Sequence, residues 1–136
     1  MNSKAQINNT RSREIIFSEN APLPLGTYSQ AVRAGETIYL SAQTPVEPKS
    51  NDVLATDFEG QLVQTLDNLK AMAEACGGSL ADVVKVNAFI TDINEFPTLN
   101  RVMERYFSKP YPARTTSGAS ALARGTLVAI DAIMVV

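Results

Sequence analysis

Phe58-Glu59-Gly60-Gln61-Leu62-Val63-Gln64-Thr65-Leu66-Asp67-Asn68-Leu69-Lys70-Ala71-Met72-Ala73-Glu74-Ala75-Cys76 is the stretch that decides the fold of this chain. Phe58, Leu62, Leu66, Leu69, Met72, Ala73 and Cys76 recur in it at steps of three and four, the period of a helix with one face on a core. Thr56-Asp57-Phe58-Glu59 reads as a capping box at its start, and Gly77-Gly78 as its C-terminal stop. Cys76 then falls in the last turn as a core contact. Directly downstream, Ser79-Leu80-Ala81-Asp82 makes a short capped turn and Val83 to Ile90 a strand enriched in β-branched residues.

Outward from this unit the pattern changes period. Glu14 to Phe17 is a short strand, Asn20 to Gly26 a proline-fixed loop, and Tyr28 to Ala34 a strand. The last returns through a turn at Gly35 along Thr37 to Ser41, making a hairpin, and Pro45 to Val53 is loop. Beyond Ile90, Asp92 to Glu95 leads into a second helix with Pro97 in its first turn. Its buried face is Phe96, Leu99, Val102, Met103, Tyr106 and Phe107. Two last strands, Arg114 to Ala121 and Thr126 to Val136, join around Arg124-Gly125. The order β-β-β-α-β-α-β-β predicts a single α+β sheet with two helices packed on one face. Its second face has no helix to cover it, so a homo-oligomer is expected. Residues 1–13 are polar, without an acidic residue or the apolar core of a secretory signal, and read as a flexible lead-in to one domain over 14–136.

Composition then removes whole classes of chemistry. The chain has 136 residues, a net charge of −2 and scattered basic residues, so there is no electrostatic footprint for nucleic acid. No run of 18 apolar residues marks a membrane span. A single cysteine cannot form an internal disulfide, which fits a reducing, cytoplasmic setting. With no histidine, Ser-His-Asp and Cys-His catalysis are excluded, and no metal site is expected. Neither a GxGxxG nor a Walker A pattern is present, so no standard nucleotide cradle is expected. Chemistry must rest on arginine, carboxylates, hydroxyls, backbone N–H groups and water.

One arginine stands out. In Tyr111-Pro112-Ala113-Arg114-Thr115-Thr116-Ser117-Gly118, Pro110 and Pro112 stiffen the approach to a strand that opens at Arg114. A guanidinium fixed in this way presents parallel N–H donors to a carboxylate or phosphate. The competing reading of a lone arginine is a structural ion pair.

Gly26-Thr27-Tyr28-Ser29-Gln30, Leu40-Ser41-Ala42-Gln43-Thr44-Pro45-Val46, Thr65-Leu66-Asp67-Asn68-Leu69, Asn100 and Tyr111-Pro112-Ala113-Arg114 together resemble the RidA/YjgF family of reactive-intermediate deaminases. The resemblance spans about residues 14 to 136 in one register. It implies a chorismate-mutase-like fold, a homotrimer with clefts between subunits, and cofactor-free hydrolysis of enamines and imines such as 2-aminoacrylate to 2-oxo acids and ammonia. Some family members carry an older ribonuclease label, but this chain has neither histidine nor a basic aromatic surface for RNA cleavage.

The same resemblance assigns roles. Arg114 holds the substrate carboxylate, and the backbone of Thr116, where many relatives have cysteine, donates to the ligand. Tyr28 covers the cleft, with its hydroxyl near the reacting nitrogen. Ser41 and Ala42, the latter usually glycine, line the pocket, and Asn100 shapes its wall. The water-positioning glutamate of the family falls on Ala129, which can neither orient water nor shuttle a proton. Asp131 lies two residues on, about 6.6 Å along the same strand face. The expectation is therefore imine hydrolysis, with a small-carboxylate binding or redirected role as the alternative.

Overall fold

The computed structural model describes residues 12–136, and the expected lead-in 1–13 lies almost wholly outside them. Among the described residues the order is β1 Glu14–Ile16, β2 Ala31–Ala34, β3 Thr37–Gln43, α1 Phe58–Ala75, β4 Val83–Ile90, α2 Phe96–Met103, β5 Ala113–Gly118 and β6 Val128–Val135. The strands form one mixed sheet in the spatial order β1-β2-β3-β6-β4-β5. Every neighbouring pair is antiparallel except β4 and β5, which α2 joins as a parallel crossover.

Alternation along the strands sorts their side chains to two faces. Ile38, Leu40, Val86, Ala88, Ile90, Val128, Ile130, Ala132 and Met134 are all buried on one of them. Against that face α1 lays the predicted stripe, and Phe58, Leu62, Leu66, Leu69, Met72, Ala73 and Cys76 are buried without exception. Each fully buried leucine contributes about 1.5–3 kcal/mol, so this layer is the main source of cohesion. Burial also pushes the Cys76 thiol above its ordinary value, as befits a core contact. α2 adds Leu99, Val102 and Met103 to the same core, followed by Phe107. No helix of the described residues is long and apolar enough to cross a membrane.

Two of the sequence motifs are explained by the loops they pin. The Gln30 side chain accepts from Ser18 N at 2.7 Å and donates to the carbonyls of Ser18 and Pro22 at 3.0 and 2.8 Å, tying the segment before β2 to the sheet. From the middle of α1, Asn68 Nδ2 donates to the carbonyls of Thr44 and Val46 at 3.0 and 2.8 Å, anchoring the loop after β3. Asp67 accepts from the Tyr106 hydroxyl at 2.7 Å. Burial first, then this bond, pushes the Tyr106 phenol up to about 12.

Four local expectations are corrected. α1 is capped by Asp57, whose carboxylate accepts from Gly60 N at 3.2 Å, rather than by a Thr56–Glu59 box. Glu59 is drawn away instead to Arg101 and Arg105 of the second helical segment, at 2.7 and 3.1 Å. Tyr28 is not in a strand, because a turn closed by Tyr28 N donating to Gly26 O delays β2 until Ala31. β5 ends at Gly118 rather than Ala121. β6 begins at Val128, because Arg124 adopts a left-handed φ of 60° and the Thr126 hydroxyl turns back to Ala123 O at 2.8 Å.

Among the described residues no helix covers the second sheet face. Register places Ile15, Val32, Tyr39, Ile133 and Lys85 in one row across it, and both Ile15 and Tyr39 are more than half exposed.

Candidate functional site

β5 is an edge strand, and its parallel pairing sets Arg114 beside Val86, Thr116 beside Ala88 and Gly118 beside Ile90. Those three β4 residues point into the core, so Arg114 and Thr116 face the helix side at the rim of the sheet. There α2 receives the guanidinium. Arg114 Nη2 donates to Asn100 Oδ1 at 2.7 Å and Nη1 lies 3.5 Å from Met103 Sδ. The Phe96 ring stacks on it, 5.2 Å from guanidinium carbon to centroid.

All three partners are neutral. Among the described residues the ion pairs join Arg33 to Glu14, and Arg101 and Arg105 to Glu59, so Arg114 has no carboxylate partner. The structural ion pair that competes for a lone arginine is therefore not what holds it. Burial lowers its proton affinity below the ordinary arginine value. A guanidinium is so strongly basic that the group remains a cation. Of its five N–H donors, two serve Asn100 and Met103, which leaves three. They border a cleft of about 480 Å³ lined by Asn100, Met103, Glu104, Phe107, Tyr111, Pro112 and Arg114. Close by, the Thr116 hydroxyl is buried and has no hydrogen-bond partner among the described residues.

The other expected site residues do not meet Arg114 within one chain. Leu40 pairs with Ala132 and Gln43 with Ile130, so Ser41 and Ala42 form a bulge opposite Asp131 on the uncovered face. The Ser41 hydroxyl donates to Ser29 O at 2.5 Å, a backbone tie that holds the loop before β2. Ala129 pairs with Phe89 on the same uncovered face and is only 7% exposed. Asp131 is engaged by Asn87, whose Nδ2 donates to its Oδ1 at 2.8 Å. Tyr28 sits in the loop before β2, 53% exposed as a residue and with its hydroxyl accepting from Leu25 N at 3.2 Å. From β3 to β5 is three strand spacings, about 14 Å, with the two groups on opposite faces. Arg114, Asn100 and Thr116 thus form one set, and Ser41, Ala42, Ala129 and Tyr28 another.

Three contributors were not singled out from sequence as site residues, and one of them, Met103, was read only as part of the buried helix face. Phe96 was counted as core, yet it is 40% exposed and forms the platform under Arg114. Glu104 was not singled out at all. The signal was available, since Phe96, Asn100 and Glu104 follow at steps of four and so share one helix stripe. A second hollow of about 400 Å³, lined by Lys70, Glu74, Arg105 and Tyr106 among others, offers less chemistry, because Tyr106 is already committed to Asp67. Among the described residues no group of three or more Cys, Asp or Glu is placed to hold a metal.

The fold is thus an α+β domain that presents, in a cleft at its sheet edge, an arginine without a carboxylate partner among the described residues, a group with the chemistry to pair with a small anion. The family model described as Endoribonuclease L-PSP matches residues 18–136, and the chain belongs to this family, the RidA/YjgF proteins. It is 41% identical to the 2-iminobutanoate/2-iminopropanoate deaminase of Dermatophagoides farinae, over 91% of this chain and 97% of that protein. The Escherichia coli protein of the same name is 40% identical, over 88% of this chain and 95% of the relative. The crystal structure of RidA from an Antarctic Psychrobacter superposes with a TM-score of 0.87 at 42% identity, covering 90% and 99% of the two chains. The single mixed sheet with two helices is the fold of these proteins.

Proposed function

We propose that this protein hydrolyses reactive 2-imino acids and their enamine tautomers to 2-oxo acids and ammonia, with Arg114 holding the substrate carboxylate. The observation that carries the reading is a half-buried guanidinium held by neutral groups, with three free donors at a cleft. The names borne by two relatives at about 40% identity support the reaction class.

In this mechanism the carboxylate docks on the Arg114 fork, which fixes the iminium carbon relative to the cleft wall. Water adds to that carbon, forming a C–O bond as the C=N π electrons move to nitrogen. The resulting carbinolamine expels ammonia and leaves the 2-oxo acid. No redox partner is needed, since water supplies the oxygen and the hydrogens that balance the departing nitrogen. Ser41, Ala42, Tyr28 and position 129 enter from a second copy of the chain, in a homotrimer whose subunits cover the open sheet faces. The separation of the two residue sets and the exposed apolar row of Ile15 and Tyr39 support this assembly.

Ala129 favours a second reading, small-carboxylate binding with weak or redirected hydrolysis. A missing general acid–base group lowers the rate by ~10²–10⁴. Asp131 is already occupied by Asn87. The deciding experiment generates 2-iminopropanoate in situ by oxidation of L-alanine and follows release of pyruvate and ammonia with and without the protein. Acceleration supports hydrolysis. Pyruvate binding without acceleration supports the second reading, and neither would refute both.

A further inference from the structure

We propose that Glu104 makes the Arg114 cleft selective for ligands with a cationic nitrogen next to their carboxylate, so that the site prefers the iminium substrate to the 2-oxo acid product. The inference rests on Arg114 as the carboxylate anchor. Glu104 lines the same cleft, and its backbone N–H donates to Asn100 O at 3.2 Å, so the helical turn continues to it from the residue that grips Arg114. Side chains at this spacing stand about 5–6 Å apart at Cβ, which puts the carboxylate one turn from the guanidinium's partner.

Nothing else claims that carboxylate. The two arginines nearest to it in sequence, Arg101 and Arg105, are both bound to Glu59, and among the described residues the Glu104 carboxylate has no hydrogen-bond or ion-pair partner. The remaining walls, Met103, Phe107, Tyr111 and Pro112, are mostly apolar. The cleft therefore presents one cation and one anion on a weakly polar background. A 2-oxo acid matches only the cation and is repelled by Glu104. A protonated imine carries its positive nitrogen on the carbon beside the carboxylate, and matches both. Once the nitrogen leaves as ammonia the attraction to Glu104 is lost, which favours product release. With position 129 an alanine, Glu104 is the carboxylate that the Arg114 cleft itself supplies.

Pyruvate and L-alanine differ at the α-nitrogen and separate this role from general packing. Calorimetry would compare both ligands on wild type, Glu104→Gln and Arg114→Lys, with melting curves confirming the fold. Glu104→Gln should weaken L-alanine about three- to fivefold and tighten pyruvate by a similar factor, the scale of a partly exposed ion pair. Glu104→Asp should retain the wild-type order of preference. Arg114→Lys should weaken both ligands. If Arg114→Lys weakens both but Glu104→Gln moves neither, or moves them in the same direction, the Glu104 assignment is overturned while the anchor stands. If wild type binds neither ligand, the anchor and this assignment fall together.

Discussion

Replacing Arg114 by lysine keeps the charge and removes the geometry, which makes it the sharpest probe of the cleft. The native guanidinium spends one donor on Asn100 and one on Met103 and sits over the Phe96 ring. Three donors then remain in a fixed plane for a carboxylate. A lysine ammonium has three donors in all, no plane to stack, and a stem whose freedom must be restrained on binding. If its contact with Asn100 is kept, two donors remain and neither is held in a fork. Hydrogen bonds to charged groups are worth about 1.5–3 kcal/mol, and this is the loss expected for a 2-oxo acid. In dissociation constant that is about 10- to 150-fold.

Burial adds a second signature with a definite sign. The site already depresses the proton affinity of the guanidinium, without discharging it. A lysine there has less margin, and desolvation favours its neutral form. Binding by Arg114→Lys should therefore fall as pH rises from 7 towards 10, while wild-type binding stays level on that account. Titration calorimetry with pyruvate at several pH values measures both effects, and melting curves report whether the fold persists. Unchanged affinity at neutral pH would refute the anchor, and would return Arg114 to a purely structural role between Asn100 and Phe96.

Ala129→Glu should raise kcat for imine hydrolysis with little change in KM, because a water-orienting carboxylate acts mainly in the transition state. It should also cost ~1–3 kcal/mol of stability, since a near-buried methyl beside Phe89 becomes a longer acid. In the wild-type background Asp131→Ala should leave the rate unchanged, and a large loss would show that Asp131 positions the water despite its bond to Asn87. Light scattering at micromolar concentration should give three times the 14.7 kDa chain mass, and a monomer would defeat the intersubunit site. Burial and the bond to Asp67 push Tyr106 from about 10 up to about 12, so its neutral form is favoured by the fold. The stability it confers should be complete below pH 10 and lost as pH rises through 12, and urea midpoints across that range should flatten in Tyr106→Phe.

Much of the architecture was legible because long periodic segments leave little ambiguity. The α1 stripe is buried at every predicted position, and Val83–Ile90 is a strand with the bounds read from sequence. Errors gathered where side chains compete for the backbone. Asp57 outbid Thr56 for the cap, since a carboxylate suits a helix N-terminus better and Glu59 had arginine partners elsewhere. Gly26 allowed the turn that took Tyr28 out of β2. In the site, the rigid proline approach made Arg114 visible, but two things were not. Strand order β3-β6-β4-β5 separates Ser41 from Arg114, and no local pattern reveals that order. Phe96 looked apolar and was counted as core, although its ring serves the arginine from a partly exposed position.

That separation bears on how position 129 can vary. Ala129 belongs to the uncovered face and Arg114 to the helix-side rim, so under the proposed function binding and water activation would fall to different surfaces of the chain. A change at position 129 leaves Asn100, Met103, Phe96 and the free donors of Arg114 untouched. Substrate capture can then persist while catalytic rate alters, because no hydrogen bond of the arginine cluster depends on the β6 side chain. The reverse does not hold. Loss of the Arg114 fork removes the one cation that lines the cleft among the described residues, and no carboxylate on the opposite face can restore positioning. The two single-site variants should accordingly separate in kind, Arg114→Lys through affinity and Ala129→Glu through turnover.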